Sequence, residues 1–231
     1  MNLLALDTSS EGCSVALLSG GKVTDRFEIA PRGHTRLLMP MVKALLAERE
    51  LRVSSLDAIA FAAGPGSFTG LRIATGVVQG LAFGLDIPVV PVSSLAVLAA
   101  GAARDLADGG EGAIAVAVDA RMNEVYWGCF HCTDNDLQPV SEEQVCPPDR
   151  VSLPDGFSRW IGTGSGWSFR DQMPAAVVER ISRIDVTAVP HARDIIVLAV
   201  AAWQRGRYLS AAEAQPVYLR NEVTWKKLPG R

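Results

Sequence analysis

A short apolar run ending in aspartate, a polar turn and a second apolar run open this chain, and the same arrangement returns 112 residues later. The first copy is Leu3-Leu4-Ala5-Leu6-Asp7, a turn over residues 8–12 and a run over 13–18. The second is residues 114–118 ending at Asp119, then Ala120-Arg121-Met122-Asn123 and a run over 124–130. Apolar runs of that length split by a turn predict β-hairpins. Each half also has a later apolar stretch running into glycines: residues 58–70 in the first, and Trp160-Ile161-Gly162-Thr163-Gly164-Ser165-Gly166 in the second. A pattern repeated at half the chain length predicts a duplicated domain. Residues 99–112 are alanine-rich and end in Asp108-Gly109-Gly110-Glu111-Gly112, which reads as a helix fraying into a linker. The expected subdomains are 1–108 and 113–231.

In the first half, residues 35–50 place Leu37, Leu38, Met41, Val42, Leu45 and Leu46 on the broad stripe of an amphipathic helix. A second helix is expected over 69–83, with Gly84 as its left-handed terminator before a strand at 87–92. Ser93 or Ser94 then caps a third helix. In the second half an apolar helix over 192–203 should cover the sheet near the domain junction. Strands and helices alternate, so the fold class is α/β. Gly76 and Gly80 stand one turn apart in the second helix, and each costs about 1 kcal/mol against alanine. Another backbone should therefore approach them; the chain's own sheet is the first expectation, and a helix of another molecule the second. Met39 and Met41 add adaptable apolar surface of the kind used at interfaces.

The segment Gly64-Pro65-Gly66-Ser67-Phe68-Thr69-Gly70-Leu71-Arg72 reads as strand, tight turn and helix start. Glycines there admit positive φ and close approach, and the free N–H groups of a helix's first turn suit an anion. A plain structural turn needs the same glycines, and the spacing is neither that of a P-loop nor of a dinucleotide fingerprint. Arg72 opposes the helix dipole and should have an anionic neighbour, a ligand or a carboxylate of this chain. Asp7 and Asp119 either cap their own turns or hold a metal and water beneath a nucleotide. Two hairpins each following an aspartate, in duplicated halves, resemble the actin and hexokinase-like ATPase superfamily. Its phosphate loops need room, whereas the first turn here has only Gly12 and the second has no glycine. Nucleotide affinity is therefore expected to be weak or lost.

Catalytic groups are hard to find. His34 would need a second histidine one turn on, where Leu38 stands. Cys129 and Cys132 fall three apart in a strand, pointing to opposite faces, so no metal site is expected of them. Net charge is −3, which gives the whole chain no electrostatic footprint for nucleic acid. With 48% hydrophobic and 20% charged residues there is ample material for a core. Residues 1–7 lack the basic n-region and long apolar h-region expected of a secretion signal, and the apolar segment 73–92 contains Gln79, Asp86, Pro88 and Pro91, which makes a poor membrane span. A soluble cytoplasmic protein is expected. The tail residues Trp225, Lys226, Lys227 and Arg231 are either solvated or touch RNA or an acidic partner.

The glycine segment from Ala63 to Arg72, with Leu4-Ala5-Leu6-Asp7-Thr8-Ser9, Asp119-Ala120-Arg121-Met122-Asn123-Glu124-Val125-Tyr126 and Pro216-Val217-Tyr218-Leu219-Arg220, is similar to the TsaB (YeaZ) family. The resemblance implies a duplicated actin-like fold with a ribonuclease H-like motif, no catalysis of its own, no cofactor, and a role in threonylcarbamoyladenosine synthesis on transfer RNA. It further implies pairing with the catalytic paralogue TsaD, which carries the histidine pair and metal, an ATPase subunit TsaE that joins them, and contact with tRNA through that complex. The N-terminal helices would form the dimer surface, with a second copy when alone or with the catalytic partner. Carried to residues, that face is Leu37, Leu38, Met41, Leu45, Val77 and Leu81. The competing expectation is an enzyme, either a metal-dependent glycoprotease or an ATP-dependent member of the superfamily.

Overall fold

The computed structural model describes residues 1–104, 106, 111–133 and 136–220. In the first half, β1 (Leu3–Asp7), β2 (Gly12–Ser19) and β3 (Lys22–Ile29) form an antiparallel meander. Helix α1 (His34–Glu48) leads to β4 (Ala58–Gly64), then α2 (Phe68–Leu85), β5 (Val89–Ser93) and α3 (Ser94–Arg104). Strands β4 and β5 add in parallel beside β1, so the sheet order is β3-β2-β1-β4-β5.

The second half repeats this plan. Strands β6 (Gly112–Arg121), β7 (Glu124–Thr133) and β8 (Asp136–Pro139) are antiparallel, and a short β9 (Gln144–Cys146) also pairs with β7. Strand β10 (Trp160–Thr163) lies parallel to β6, and β11 (Ile181–Asp185) parallel to β10, with a 3-10 helix over Ser165–Gln172 and a single α-helical turn, α4 (Ala175–Val178), between them. Read from its hairpin side, the order β8-β7-β6-β10-β11 matches the first sheet strand for strand. The duplication inferred from sequence is present in the topology.

Helices cross between the halves. One face of the first sheet, with Leu4, Leu6, Ile59 and Phe61, packs on Leu38, Val42 and Leu45 of α1 and on Val78 and Ala82 of α2. Its other face, with Leu3, Ala5, Ala60 and Val90, is covered by Ile195, Ile196 and Ala199 of α5 (Ala192–Gln204), which follows the second sheet in the chain. Conversely, Leu95, Leu98 and Ala99 of α3 pack on Ile114 and Val116 of the second sheet. The remaining face of that sheet buries Trp127, Trp160 and Trp167.

Several expectations change. Gly84 lies inside α2, and Asp86 takes the left-handed terminating position at φ 54, which aspartate tolerates better than most residues. Strand β3 was not anticipated: Val23, Phe27 and Ile29 share one face, but Asp25 interrupts it and the side chains are mostly exposed, so the run lacks the signal of a buried strand. Among the described residues no heavy atom lies within 4 Å of where a Cβ on Gly76 or Gly80 would sit, so the chain's own sheet does not explain them. Ser93 is the cap of α3, its Oγ accepting from the N–H groups of Leu95 and Ala96. The linker residues 107–110 and the basic tail after 220 lie outside the described residues.

Candidate functional site

Strand β4 is buried along its whole length, and the chain leaves it through the glycine segment into α2. The space above that turn is filled by the protein itself. A Cβ on Gly66 would overlap the carbonyl oxygen of Ser9, one on Gly70 that of Thr8, and one on Gly64, at φ 127, that of Val217. Ser67 caps α2 through Gly70, its own N–H donates to the Ser9 carbonyl at 2.7 Å, and Thr8 Oγ1 donates to the Gly70 carbonyl at 2.7 Å. The Ser67 N–H, one of the donors that could have held an anion, holds the β1–β2 turn instead, and that of Gly70 is taken by Ser67 Oγ. The second half does the same with its own glycines: Gly164 and Gly166 lie against the backbone of Ala117 and Val118, just before Asp119.

Both aspartates cap their turns. Asp7 Oδ1 accepts the N–H of Ser9 at 3.0 Å, and Asp119 Oδ1 accepts that of Arg121 at 2.7 Å. Burial pushes the Asp7 carboxyl up to about 6, against the opposing hydrogen bonds from Ser9, and among the described residues its Oδ2 has no hydrogen-bond partner. The second turn is unusual: Arg121, Met122 and Asn123 all have left-handed φ, at 64, 57 and 60°. Met122 is thereby held outward. His34 is buried and its Nε2 meets the Gly12 carbonyl at 3.2 Å, pinning α1 to the first turn. Cys129 and Cys132 lie in different core clusters on the two faces of β7, with burial pushing the Cys129 thiol up to about 11. Among the described residues, no three His, Cys, Asp or Glu side chains gather as metal ligands.

A cavity of about 600 Å³ lies between the halves, lined by Phe27, Leu98, Ile161, His191 and the Arg104–Asp194 ion pair at 2.8 Å. Neither aspartate turn lines it. Burial raises Asp194 to about 6, with Arg104 opposing.

Among the described residues no carboxylate is paired with Arg72. Its guanidinium lies 3.7 Å over the Phe68 ring and its Nε donates to the Tyr218 hydroxyl at 3.2 Å. Tyr218 belongs to a strap that runs back over the first half. Leu209 bridges Val89, Gln79 donates to the Ala214 carbonyl, and the N–H of Val217 donates to the Ala63 carbonyl. Arg220 then reaches Met122 and Glu124 of the second half. This strap lacks periodicity and was not visible in the sequence as structure.

Of the face predicted on the N-terminal helices, Leu38 and Leu45 are core residues, 1% and 0% exposed, and leave it. Leu37, Met41, Val77 and Leu81 are half-buried and flank that core. The outward stripe of α2 is instead Gly76, Gly80 and Gly84 with Phe83, which is 80% exposed. Helix α2 is apolar and long enough to cross a membrane by composition, with a mean hydropathy of 1.2 over Phe68–Leu85. It lies on the sheet through Leu71, Ala74, Val78 and Ala82, so its excess apolarity is on the outer side.

Twin sheets of one topology, each with an aspartate-ended hairpin at its centre, define an actin/hexokinase-like α/β protein, and this one has closed both turns with its own groups. A family model described as TsaD, tRNA N6-adenosine threonylcarbamoyltransferase, matches residues 27–227. The chain is 42% identical to the tRNA threonylcarbamoyladenosine biosynthesis protein TsaB of Haemophilus influenzae, over 100% of this chain and 98% of that one. With its Escherichia coli counterpart it shares 38% identity over the full length of both. The solved structure of YeaZ from Pseudomonas aeruginosa superposes with a TM-score of 0.88 at 48% identity, covering 94% of this chain and 99% of that one. This chain belongs to the TsaB (YeaZ) family.

Proposed function

We propose that the chain is a non-catalytic subunit in the synthesis of threonylcarbamoyladenosine, at the adenosine adjacent to the anticodon of tRNA. It lends a helical face to a TsaD-like catalytic paralogue, and a TsaE-like ATPase joins the pair in the cytoplasm. The relatives' shared name supports the process. The observation that carries the scaffold role is the outer side of α2, where glycines face open space beside a nearly fully exposed Phe83. Gly76 and Gly80 in the helix interior cost stability and meet nothing among the described residues of this chain. They leave a shallow groove into which another helix fits closely. In the absence of the paralogue the same face pairs with a second copy. The subdomains of this reading are 1–108 and 113–231, with the partner face wholly in the first. Asp7 and Asp119 act as turn caps, and this chain requires no metal or cofactor of its own.

The test is reconstitution with the paralogue, the ATPase and a tRNA transcript. Omitting this chain should abolish modification. Phe83→Glu should abolish copurification with the paralogue while far-UV circular dichroism is unchanged. Full modification without this chain, or turnover of ATP by the isolated chain, would defeat the reading.

A further inference from the structure

We propose that the cavity between the halves is a binding site for a small organic carboxylate with an apolar body, held by the guanidinium of Arg193 at the start of α5. The site is independent of the assembly proposed above and of both aspartate turns.

At about 600 Å³ the cavity has the size of a ligand pocket rather than of a packing defect. Its walls come from β3, α3, β10, β11 and the chain that leads into α5. Phe27, Leu98, Ile161, Ile184 and Val189 give those walls apolar area, and Arg104, Arg183 and Arg193 stand among them. Apolar walls with a few convergent polar groups are the mark of a small-molecule site. Part of the wall is fixed in advance, because the Phe27 ring stacks on His191 with centroids 4.0 Å apart.

The carboxylates that line the cavity are already committed. Asp194 accepts from Arg104 through both oxygens, at 2.8 and 3.2 Å, and Asp185 Oδ1 accepts from the N–H and the hydroxyl of Thr187 at 2.9 and 2.7 Å. Arg193 is different. It is half-buried, and its Nε is shut off from solvent with no hydrogen-bond partner among the described residues. A cation drawn out of water with a donor unmet is costly, and a bound anion offsets that cost. The field at this wall is cationic as well: burial first, then Arg193 and Arg104, lower the His191 pKa, with Asp25 opposing. One unmet guanidinium calls for one negative charge, and its planar fork matches a carboxylate through two parallel hydrogen bonds. Inorganic phosphate would leave the apolar walls unmet. A polyphosphate is disfavoured too, since the aspartate turns are closed by the chain's own groups and stand outside the cavity. Helices α1 and α2 lie on the opposite face of the first sheet from α5, so an occupied cavity leaves the partner face clear.

Benzoate, phenylacetate and naphthoate, each beside its primary amide, and inorganic phosphate are titrated into the isotope-labelled full chain and followed by backbone amide shifts. At least one carboxylate should give saturable shifts around Thr163, Asp185 and Arg193, and its uncharged amide should bind about tenfold more weakly or worse, the loss of one charge-assisted pair. Arg193→Met should weaken that carboxylate by a similar factor with far-UV circular dichroism unchanged. Ala188→Phe, which takes up space in the same cavity, should remove the shifts by a second route. Equal binding of acid and amide, saturable shifts elsewhere on the chain only, tighter binding of inorganic phosphate, or no response to any carboxylate would overturn the site.

Discussion

Gly70 and Gly76 stand six residues apart in α2, and a methyl group would act in opposite directions at them. At Gly70 it would overlap the Thr8 carbonyl, which is backbone held in a hydrogen-bonded turn, so Gly70→Ala should destabilise the protein by about 2 kcal/mol or more. At Gly76 it meets open space, so Gly76→Ala should stabilise the isolated chain by about 1 kcal/mol and weaken the partner contact that the groove serves. Urea midpoints of the two variants should fall on opposite sides of the wild type. Asp7 gives a pH signature. Burial raises its folded-state value to about 6, above the ordinary 3.8, so between these values the folded chain binds more protons than the unfolded one. The stability attributable to this group is fully present below pH 4 and is lost as pH rises through about 6, an effect of up to about 3 kcal/mol. The stability of Asp7→Asn relative to wild type should therefore rise from pH 4 to pH 7. A difference that stays flat across that range would show that Asp7 titrates normally.

At the scale of elements, hydrophobic period located β1, β2, β4, α1 and α2, because each buries a regular set of apolar positions against one sheet. The period could not say which apolar residues of α1 face the sheet and which face a partner, since an amphipathic stripe spans both. The partner face that the resemblance implies includes Leu38 and Leu45, yet they are core, and Leu45→Ala should cost about 3 kcal/mol of unfolding free energy with m unchanged. The glycine segment was recognisable as a strand-to-helix turn, but its purpose depended on Ser9, Thr8 and Val217, two of them some sixty residues earlier and one far later in the chain. Phe68, Arg72 and Tyr218 were hidden by the same separation, 146 residues for the Arg72–Tyr218 bond. Local pattern reports what an element buries, whereas these contacts are fixed only when distant turns meet.

At the scale of the molecule, the halves share a topology but not independence. The face of the first sheet bearing Leu3, Ala5, Ala60 and Val90 is covered by α5, and the second sheet's Ile114 and Val116 by α3, so each half supplies a helix the other needs. The N–H of Ala192 at the start of α5 donates to Ser14 Oγ of β2 in a buried bond, and the strap adds contacts at Val89, Gln79 and Ala63. Folding should therefore be one cooperative event despite the duplication. A fragment of residues 1–108 would leave an entire apolar sheet face in water, a loss that a domain of that size cannot absorb. Calorimetry of the full chain should show a single transition with matching calorimetric and van't Hoff enthalpies. The fragment alone should bind a hydrophobic dye and unfold without a cooperative transition, and mixing it with a fragment beginning at residue 111 should restore one. Two separate transitions in the intact chain, or a cooperatively folding fragment 1–108, would show that α5 and the strap decorate the first sheet without completing it.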